Sequence, residues 1–125
     1  MSKPCISIVV PVFNKELHII QTLQTIRVQK FQDWECVIVN DGSTDNSVNL
    51  IRDNFSHEFQ LGKFRMITTD NSGQSAARNT GIMASVGDYI ALLDGDDLWH
   101  PNKLAWQYEL LEQYPQCDLA LGAYR

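Results

Sequence analysis

The sequence predicts an α/β fold in which a mostly parallel sheet carries helices on both faces. Short apolar runs rich in β-branched residues alternate with segments of helical periodicity along the chain. The first run, "ISIVVPVF", is continuous rather than alternating, which is typical of a strand buried on both faces. The 125 residues suffice for one domain with a substantial core and are too few for two.

The first half of the chain predicts two strand–helix units. Residues 6–12 are predicted to form the first strand, and Asn14 can cap a helix from about residue 15 to 28. The second strand is predicted over residues 34–39, the segment "WECVIV". The turn "NDGSTD" follows this strand, and Asp45 in the turn can cap the next helix.

The second half of the chain repeats the alternation. Strands over residues 63–68 and 88–93 enclose a helix over residues 74–85, whose many small residues indicate close packing against a sheet. A further helix is predicted over residues 101–114, because the proline that begins this segment suits the first turn of a helix. A fifth strand is predicted over residues 118–123.

Composition restricts the partners that this chain can have. The formal net charge of −5 argues against nucleic acid or an anionic membrane surface as the main partner. The apolar runs are far too short to span a bilayer, and the N-terminus lacks a convincing signal peptide. The three cysteines have no CxxC spacing, which favours reduced thiols. We therefore expect a cytoplasmic protein, with peripheral association at the inner membrane face as a variant of that location.

Polar residues follow the predicted strands. Asn14 comes after the first strand, Asp41 after the second, and the cluster Asp94–Asp97 after the fourth. The carboxyl ends of parallel strands lie along one edge of a sheet, and ligands of open α/β sheets bind beyond these ends. The sequence therefore predicts one ligand site built from these loops.

The acidic cluster lies in "LLDGDDLWHP", where three aspartates occupy four positions. Carboxylates this close repel one another unless a cation lies among them. Asp94 and Asp96 on such a loop can hold a hard divalent cation, Mg²⁺ or Mn²⁺, with positions left open for diphosphate oxygens. The simplest alternative is that Asp-Gly-Asp only forms a turn.

Other phosphate-binding motifs are absent or fit poorly. The sequence contains neither the GxxxxGK[ST] phosphate loop nor a GxGxxG fingerprint after the first strand. "DGDDL" approaches the DxDx[TV] motif of aspartyl-phosphate phosphatases, in which Asp94 would be the nucleophile and Asp96 the acid. Leu98 stands where that motif has Thr or Val, and the motif normally follows the first strand, so phosphatase is the third hypothesis.

Four segments occur in a recognisable order: "SIVVPVFNKE", "TIRVQKFQDWECVIVNDGSTDNS", "NSGQSAARNTGI" and "GDYIALLDGDDLWHPNKL". Together they resemble glycosyltransferase family 2, over residues 5–110. The resemblance implies the Rossmann-like, nucleotide-binding half of the GT-A fold. It also implies metal-dependent, inverting transfer of a sugar from a nucleotide-diphosphate donor, preferably UDP-linked, to a saccharide or lipid-linked acceptor, as in polysaccharide biosynthesis.

The resemblance implies which residues contact the nucleotide base. Pro11, Val12 and Phe13 match the residues that flank the base, and Asp41 matches the acid that hydrogen-bonds the base. Glu16 matches the acid of "PxYNxE", with Phe13 in place of the usual Tyr. Each residue also has a purely structural interpretation: Phe13 as a core aromatic, Asp41 as a turn residue, and Glu16 as support for the helix dipole.

The resemblance likewise implies which residues bind the diphosphate and the metal. Asp94 and Asp96 match the motif that binds metal and ribose-phosphate, with Asp96 as the more direct metal ligand, and Asp97 extends this motif toward the nucleotide. Arg78, one turn into the predicted helix over 74–85, can reach a phosphate or the base. Its structural alternative is an ion pair with a nearby aspartate.

The predicted catalytic machinery is incomplete. Inverting transfer needs a carboxylate base that takes the proton of the acceptor hydroxyl, and in the family this base lies in the second half, beyond residue 125 here. We therefore expect the chain to be the donor-binding part, with the acceptor-binding half absent. The alternative is a non-catalytic module that binds a nucleotide sugar or scaffolds a partner. A shortened sheet also predicts an unprotected edge through which the chain can self-associate.

Overall fold

The computed structural model describes residues 3–114, in which four strands alternate with five helices. The predicted fifth strand, over residues 118–123, lies outside the described residues. In chain order the elements are β1 (Ile6–Val12), α1 (Ile19–Arg27), β2 (Trp34–Asn40), α2 (Ser47–Asn54), α3 (Ser56–Gln60), β3 (Phe64–Thr68), α4 (Gln74–Ala84), β4 (Tyr89–Leu92) and α5 (Lys103–Gln113).

The four described strands form one parallel sheet in the order β3-β2-β1-β4. β1 pairs with β2 from Ile6 opposite Trp34 to Val12 opposite Asn40, and with β4 on its other side. Every residue of β1 and β2 is buried, which explains why both strands are apolar apart from Ser7, Glu35 and Asn40. The predicted parallel sheet is therefore confirmed for the described strands.

Helices cover both faces of this sheet, as predicted. On one face, α1, α2 and α5 bury Ile19, Ile51 and Leu104 in the larger core. On the other face, α4 brings its small residues Ala77 and Gly81 against the sheet. Among the described residues, no helix combines the length and the apolar character needed to cross a membrane.

The start of α1 differs from the prediction. α1 begins at Ile19 rather than near residue 15, and its capping position is His18 instead of Asn14. Asn14 has a left-handed φ of 52°, which asparagine tolerates better than most residues. Its side-chain oxygen accepts the backbone N–H groups of Thr44 at 2.8 Å and Asp45 at 3.2 Å. Asn14 therefore joins two loops and does not cap a helix.

The cap predicted for α2 is displaced by one residue. The capping position is Asn46 rather than Asp45, although the Asp45 carboxylate still accepts the N–H of Ser47 at 2.9 Å. Its second oxygen accepts the N–H of Glu16 at 3.2 Å. Asp45 thus stabilises the start of α2 and also holds the loop after β1.

A buried carboxylate holds the end of α4 at the other end of the sheet. Glu35 in β2 accepts hydrogen bonds from the Ser7 hydroxyl at 2.6 Å and from Arg65 Nη2 at 2.7 Å. Arg65 also donates to the carbonyl of Ala84, the last residue of α4, at 2.8 Å. The N–H of Val86, just after the helix, donates to Glu35 at 2.9 Å. These bonds fix the orientation of α4, whose other end lies at the carboxyl edge of the sheet.

We predict that Gly81→Ala destabilises the fold. Alanine gains about 1 kcal/mol of helix propensity over glycine, but a Cβ at Gly81 would lie 2.4 Å from Val9 Cγ1 and 3.2 Å from Val39 Cγ2. We expect a net loss of about 1–3 kcal/mol in the free energy of unfolding, measured in urea. Asn79→Ala, on the exposed side of α4, is the matched control.

Removing the clash should rescue the variant. In a Val9→Ala background, Gly81→Ala should cost at least about 0.5 kcal/mol less than in the native sequence. Equal or higher stability of the single Gly81→Ala variant would contradict the close packing of α4 on β1.

Candidate functional site

A cleft of about 440 Å³ lies beyond the carboxyl ends of β1, β2 and β4. This is the edge at which the sequence predicts a ligand site. The structure brings together most of the predicted residues there and adds several that the sequence does not single out. The lining residues are Pro11, Val12, Phe13, Lys15, Asp41, Asn71, Gly73, Gln74, Ala77, Asp94, Gly95 and Asp96.

The first-strand residues form one wall of the cleft. Pro11 and Val12 are buried at the end of β1, whereas Phe13 is 40% exposed and lines the cleft. With this exposure the Phe13 ring is not a core aromatic, and its contact with a base stays a prediction. A flat apolar ring at this place can pack against a planar ligand.

Asp41 organises the loop between β3 and α4. Its carboxylate accepts the Thr69 hydroxyl at 2.7 Å and the backbone N–H groups of Ser72 at 2.8 Å and Gly73 at 2.9 Å. Burial alone would raise the pKa of Asp41, but the hydrogen bonds from Ser72, Thr69 and Gly73 outweigh burial and lower the pKa below its ordinary value. Asp41 is therefore an ionised, buried anchor whose oxygens border the cleft.

The acidic cluster has cationic partners from other elements. Asp94 Oδ1 accepts hydrogen bonds from Gln74 Nε2 and from Arg78 Nη2, both at 2.9 Å. Asp96 Oδ2 pairs with the ammonium of Lys15 at 3.2 Å. These contacts relieve the repulsion that the sequence predicts for adjacent carboxylates. The ion-pair alternative for Arg78 is present in the structure, and its partner is Asp94.

Gly95 brings the acidic loop close to the end of β1. A Cβ at this position would lie 3.1 Å from Lys15 Cγ and 3.3 Å from the carbonyl oxygen of Pro11. The Thr22 hydroxyl of α1 donates to the Gly95 carbonyl at 3.1 Å. The loop is thus held against both β1 and α1, which fixes where its carboxylates lie.

Three predicted residues do not line the cleft. Glu16 is exposed in the turn before α1, where its backbone bonds to Asp45. Asp97 is half-buried and its N–H donates to the carbonyl of Asp94 at 3.1 Å, closing the turn. Arg78 pairs with Asp94 at 2.9 Å, and its buried Nε has no hydrogen-bond partner among the described residues. Ligand contacts by these three residues remain predictions.

The carboxylates suit a metal that is shared with a ligand. Among residues 3–114, no group of three or more His, Cys, Asp or Glu side chains could hold a metal ion. Asp94 and Asp96 nevertheless both line the cleft. Mg²⁺ and similar cations are typically held by one or two carboxylates together with substrate phosphates. This donor set therefore fits a cation bound jointly with a phosphate ligand.

The fold and the cleft together define an open α/β domain with an acidic cleft at the carboxyl ends of its strands. The chain also matches the model of "Glycosyl transferase family 2" over residues 7–124. It therefore belongs to glycosyltransferase family 2, as the four sequence segments indicate. This membership leaves the phosphatase hypothesis without support.

Curated relatives agree with this assignment. An uncharacterized glycosyltransferase of Haemophilus influenzae is 35% identical over 128 residues, covering 95% of this chain and 50% of the relative. Glycosyltransferase GlyA of Streptococcus pneumoniae is 36% identical over 121 residues, covering 95% of this chain and 16% of the relative. The chain thus spans half or less of the length of these two relatives.

Solved structures confirm the GT-A fold. S. aureus TarS 1-349 in complex with UDP-GlcNAc superimposes with a TM-score of 0.79 at 22% identity, over 89% of this chain and 32% of that one. The mannosyltransferase PcManGT from Pyrobaculum calidifontis, in complex with GDP-Man and Mn²⁺, also gives 0.79, at 23% identity over 89% and 33% of the two chains. At this level of identity, the similarity shows the fold alone.

We predict that Asp41→Asn lowers the free energy of unfolding by about 2 kcal/mol at pH 7. The amide would place an N–H group against the donors of the β3–α4 loop and would remove the charge that they stabilise. Because the pKa of Asp41 is lowered in the folded protein, its stabilisation is fully present above about pH 4 and disappears as pH falls through the folded-state pKa.

Urea unfolding at several pH values between 7 and 3 would test both the loss of stability and its dependence on pH. The difference between the native protein and the variant should shrink toward pH 3. Asp53→Asn, an exposed carboxylate on α2, should change stability by less than about 0.5 kcal/mol. If the difference in the free energy of unfolding between the native protein and Asp41→Asn did not change with pH, the interpretation of Asp41 as an ionised anchor would be wrong.

Proposed function

We propose that this chain binds a nucleotide-diphosphate sugar together with Mn²⁺ or Mg²⁺, and that the intact protein transfers the sugar to an acceptor hydroxyl with inversion. The observation that carries the proposal is one cleft lined by two kinds of group from opposite sides of the end of β1. Phe13, which follows β1, and Asp41, which follows β2, suit a base, and Asp94 and Asp96, which follow β4, suit a metal–diphosphate. A nucleotide sugar contains both a base and a diphosphate.

Individual residues of the cleft have side chains suited to each part of the donor. Phe13 offers a flat surface for the base, and Asp41 offers carboxylate oxygens to a ring N–H of the base. Asp94 and Asp96 would hold the cation. A bound divalent cation neutralises the charge that develops on the departing nucleoside diphosphate. Arg78 holds Asp94 in place at 2.9 Å and brings a second positive charge to this end.

The solved neighbours support the donor class without selecting the base. TarS was crystallised with UDP-GlcNAc, and PcManGT with GDP-Man and Mn²⁺. We favour a UDP-linked sugar because of the sequence resemblance, and a saccharide or lipid-linked acceptor for the same reason. A cytoplasmic location, where nucleotide sugars are available, and a role in polysaccharide biosynthesis belong to the same proposal.

Binding without transfer is the second candidate for the chain by itself. The acidic residues that line the cleft are Asp41, Asp94 and Asp96; Asp41 anchors a loop, and Asp94 and Asp96 are the proposed metal ligands. The described residues therefore offer no further carboxylate in the cleft to act as the base. We propose that the catalytic base belongs to the region that the longer relatives have outside the part matched by this chain. Release of UDP from a UDP-sugar by the isolated chain would contradict this candidate.

We predict that UDP binds the purified chain in the presence of Mn²⁺ and binds much more weakly without it. Asp96→Ala should weaken the Mn²⁺-dependent binding at least about tenfold, because loss even of an outer partner of a metal typically costs that much. Isothermal titration calorimetry measures both effects.

Asp88→Asn provides the matched control for this experiment. Asp88 is an exposed aspartate that pairs with Lys3 at 2.7 Å, away from the residues that line the cleft. UDP affinity should be unchanged in this variant. If the folded native chain bound no UDP at any Mn²⁺ concentration, the proposed donor site would be wrong for this chain.

A further inference from the structure

Lys15 lines the cleft and pairs with the acidic loop, although no sequence motif points to it. Its ammonium lies 3.2 Å from Asp96 Oδ2, and both side chains are partly exposed to the cleft. The two residues are 81 positions apart in the chain. Only the tertiary fold places this cation beside the carboxylate that is proposed to bind the metal.

The backbone of Lys15 is firmly held. Its N–H donates to the Ser47 hydroxyl at 2.9 Å, and its carbonyl accepts the N–H groups of His18 at 3.0 Å and Ile19 at 2.8 Å. The first carbons of its side chain pack against Gly95, where a Cβ would come within 3.1 Å of Lys15 Cγ. The distal part of the side chain is therefore the part that can change its partner.

Asp94 and Asp96 are held in different ways. Asp94 accepts hydrogen bonds from two side chains, Gln74 and Arg78, whereas within residues 3–114 the side chain of Asp96 pairs with the Lys15 ammonium. A cation that uses the same oxygen of Asp96 must compete with that ammonium. A lysine is a compact charge on a flexible stem, and it readily binds phosphate oxygens as well as carboxylates.

We propose that Lys15 is a further donor-site residue that exchanges partners. It pairs with Asp96 before a divalent cation binds there, and it moves to the diphosphate of the donor once Asp96 has become a metal ligand. This inference rests on the proposed function, because it presupposes a site for metal and diphosphate. It makes the lysine a competitor of the metal and a partner of the nucleotide.

Two titrations on Lys15→Met test the exchange. With Mn²⁺ alone, the variant should bind the cation about two- to fivefold more tightly than the native chain, the range expected for loss of a partly exposed ion pair. With UDP at saturating Mn²⁺, the variant should bind the nucleotide about tenfold more weakly, because a charged hydrogen bond to phosphate is lost.

Two other variants separate this role from a general effect of charge. Lys3→Met removes a lysine that also pairs with an aspartate, Asp88, outside the cleft, and it should leave both affinities unchanged. Lys15→Arg keeps the charge, so its Mn²⁺ affinity should stay close to that of the native chain. Thermal unfolding near the native temperature shows that each variant is folded.

The outcomes distinguish this inference from the proposed function. Suppose that the native chain binds UDP with Mn²⁺ but Lys15→Met has the same affinity as Lys3→Met in either titration. The proposed exchange by Lys15 would then be wrong, whereas the proposed donor site would be unaffected. If the native chain binds no UDP with Mn²⁺, the proposed function fails and the role of Lys15 fails with it.

Discussion

The burial of β1 on all sides is the constraint on which the structure depends. All seven of its residues are buried, its backbone pairs with β2 and β4, and its side chains point alternately into the two helical layers. A strand enclosed in this way is mostly apolar, and its one polar side chain, Ser7, is satisfied by a hydrogen bond to Glu35. The cleft lies where β1 leaves the core, so the chemistry of the molecule is concentrated at one edge of the sheet.

The loops at this edge are positioned by side-chain hydrogen bonds more than by regular structure. Asn14 binds the loop after β2, Asp41 binds the loop before α4, and Thr22 of α1 binds the acidic loop through Gly95. Each bond joins segments that are distant in sequence. A site made of loops can therefore hold its groups in fixed places, because the Thr22 bond is buried and the Asp41 bond is partly buried, which makes both costly to break.

Charge balance connects the two proposals. The acidic loop brings more negative charge to the cleft than its own segment can neutralise. Two positive side chains from other segments compensate for this charge: Lys15 from the turn before α1, and Arg78 from α4. Arg78 holds Asp94 together with Gln74. In the proposed exchange, a cation that binds Asp96 would displace the Lys15 ammonium from this carboxylate. The diphosphate would then offer Lys15 another anionic partner.

Local patterns in the sequence were sufficient to predict the alternation of strands and helices, the parallel sheet and the grouping of Phe13, Asp41, Asp94 and Asp96 at one edge. These features follow from local periodicity and from the rule that ligands bind beyond the ends of parallel strands. Glu16 and Asp97 were grouped with them by motif, yet neither lines the cleft. The start of α1, the anchoring role of Asp41 and the position of Lys15 became evident only from the three-dimensional fold. Asn14 and Asp41 bond to segments 28 to 32 positions away, and Lys15 to one 81 positions away, and local sequence patterns do not encode partners at such separations.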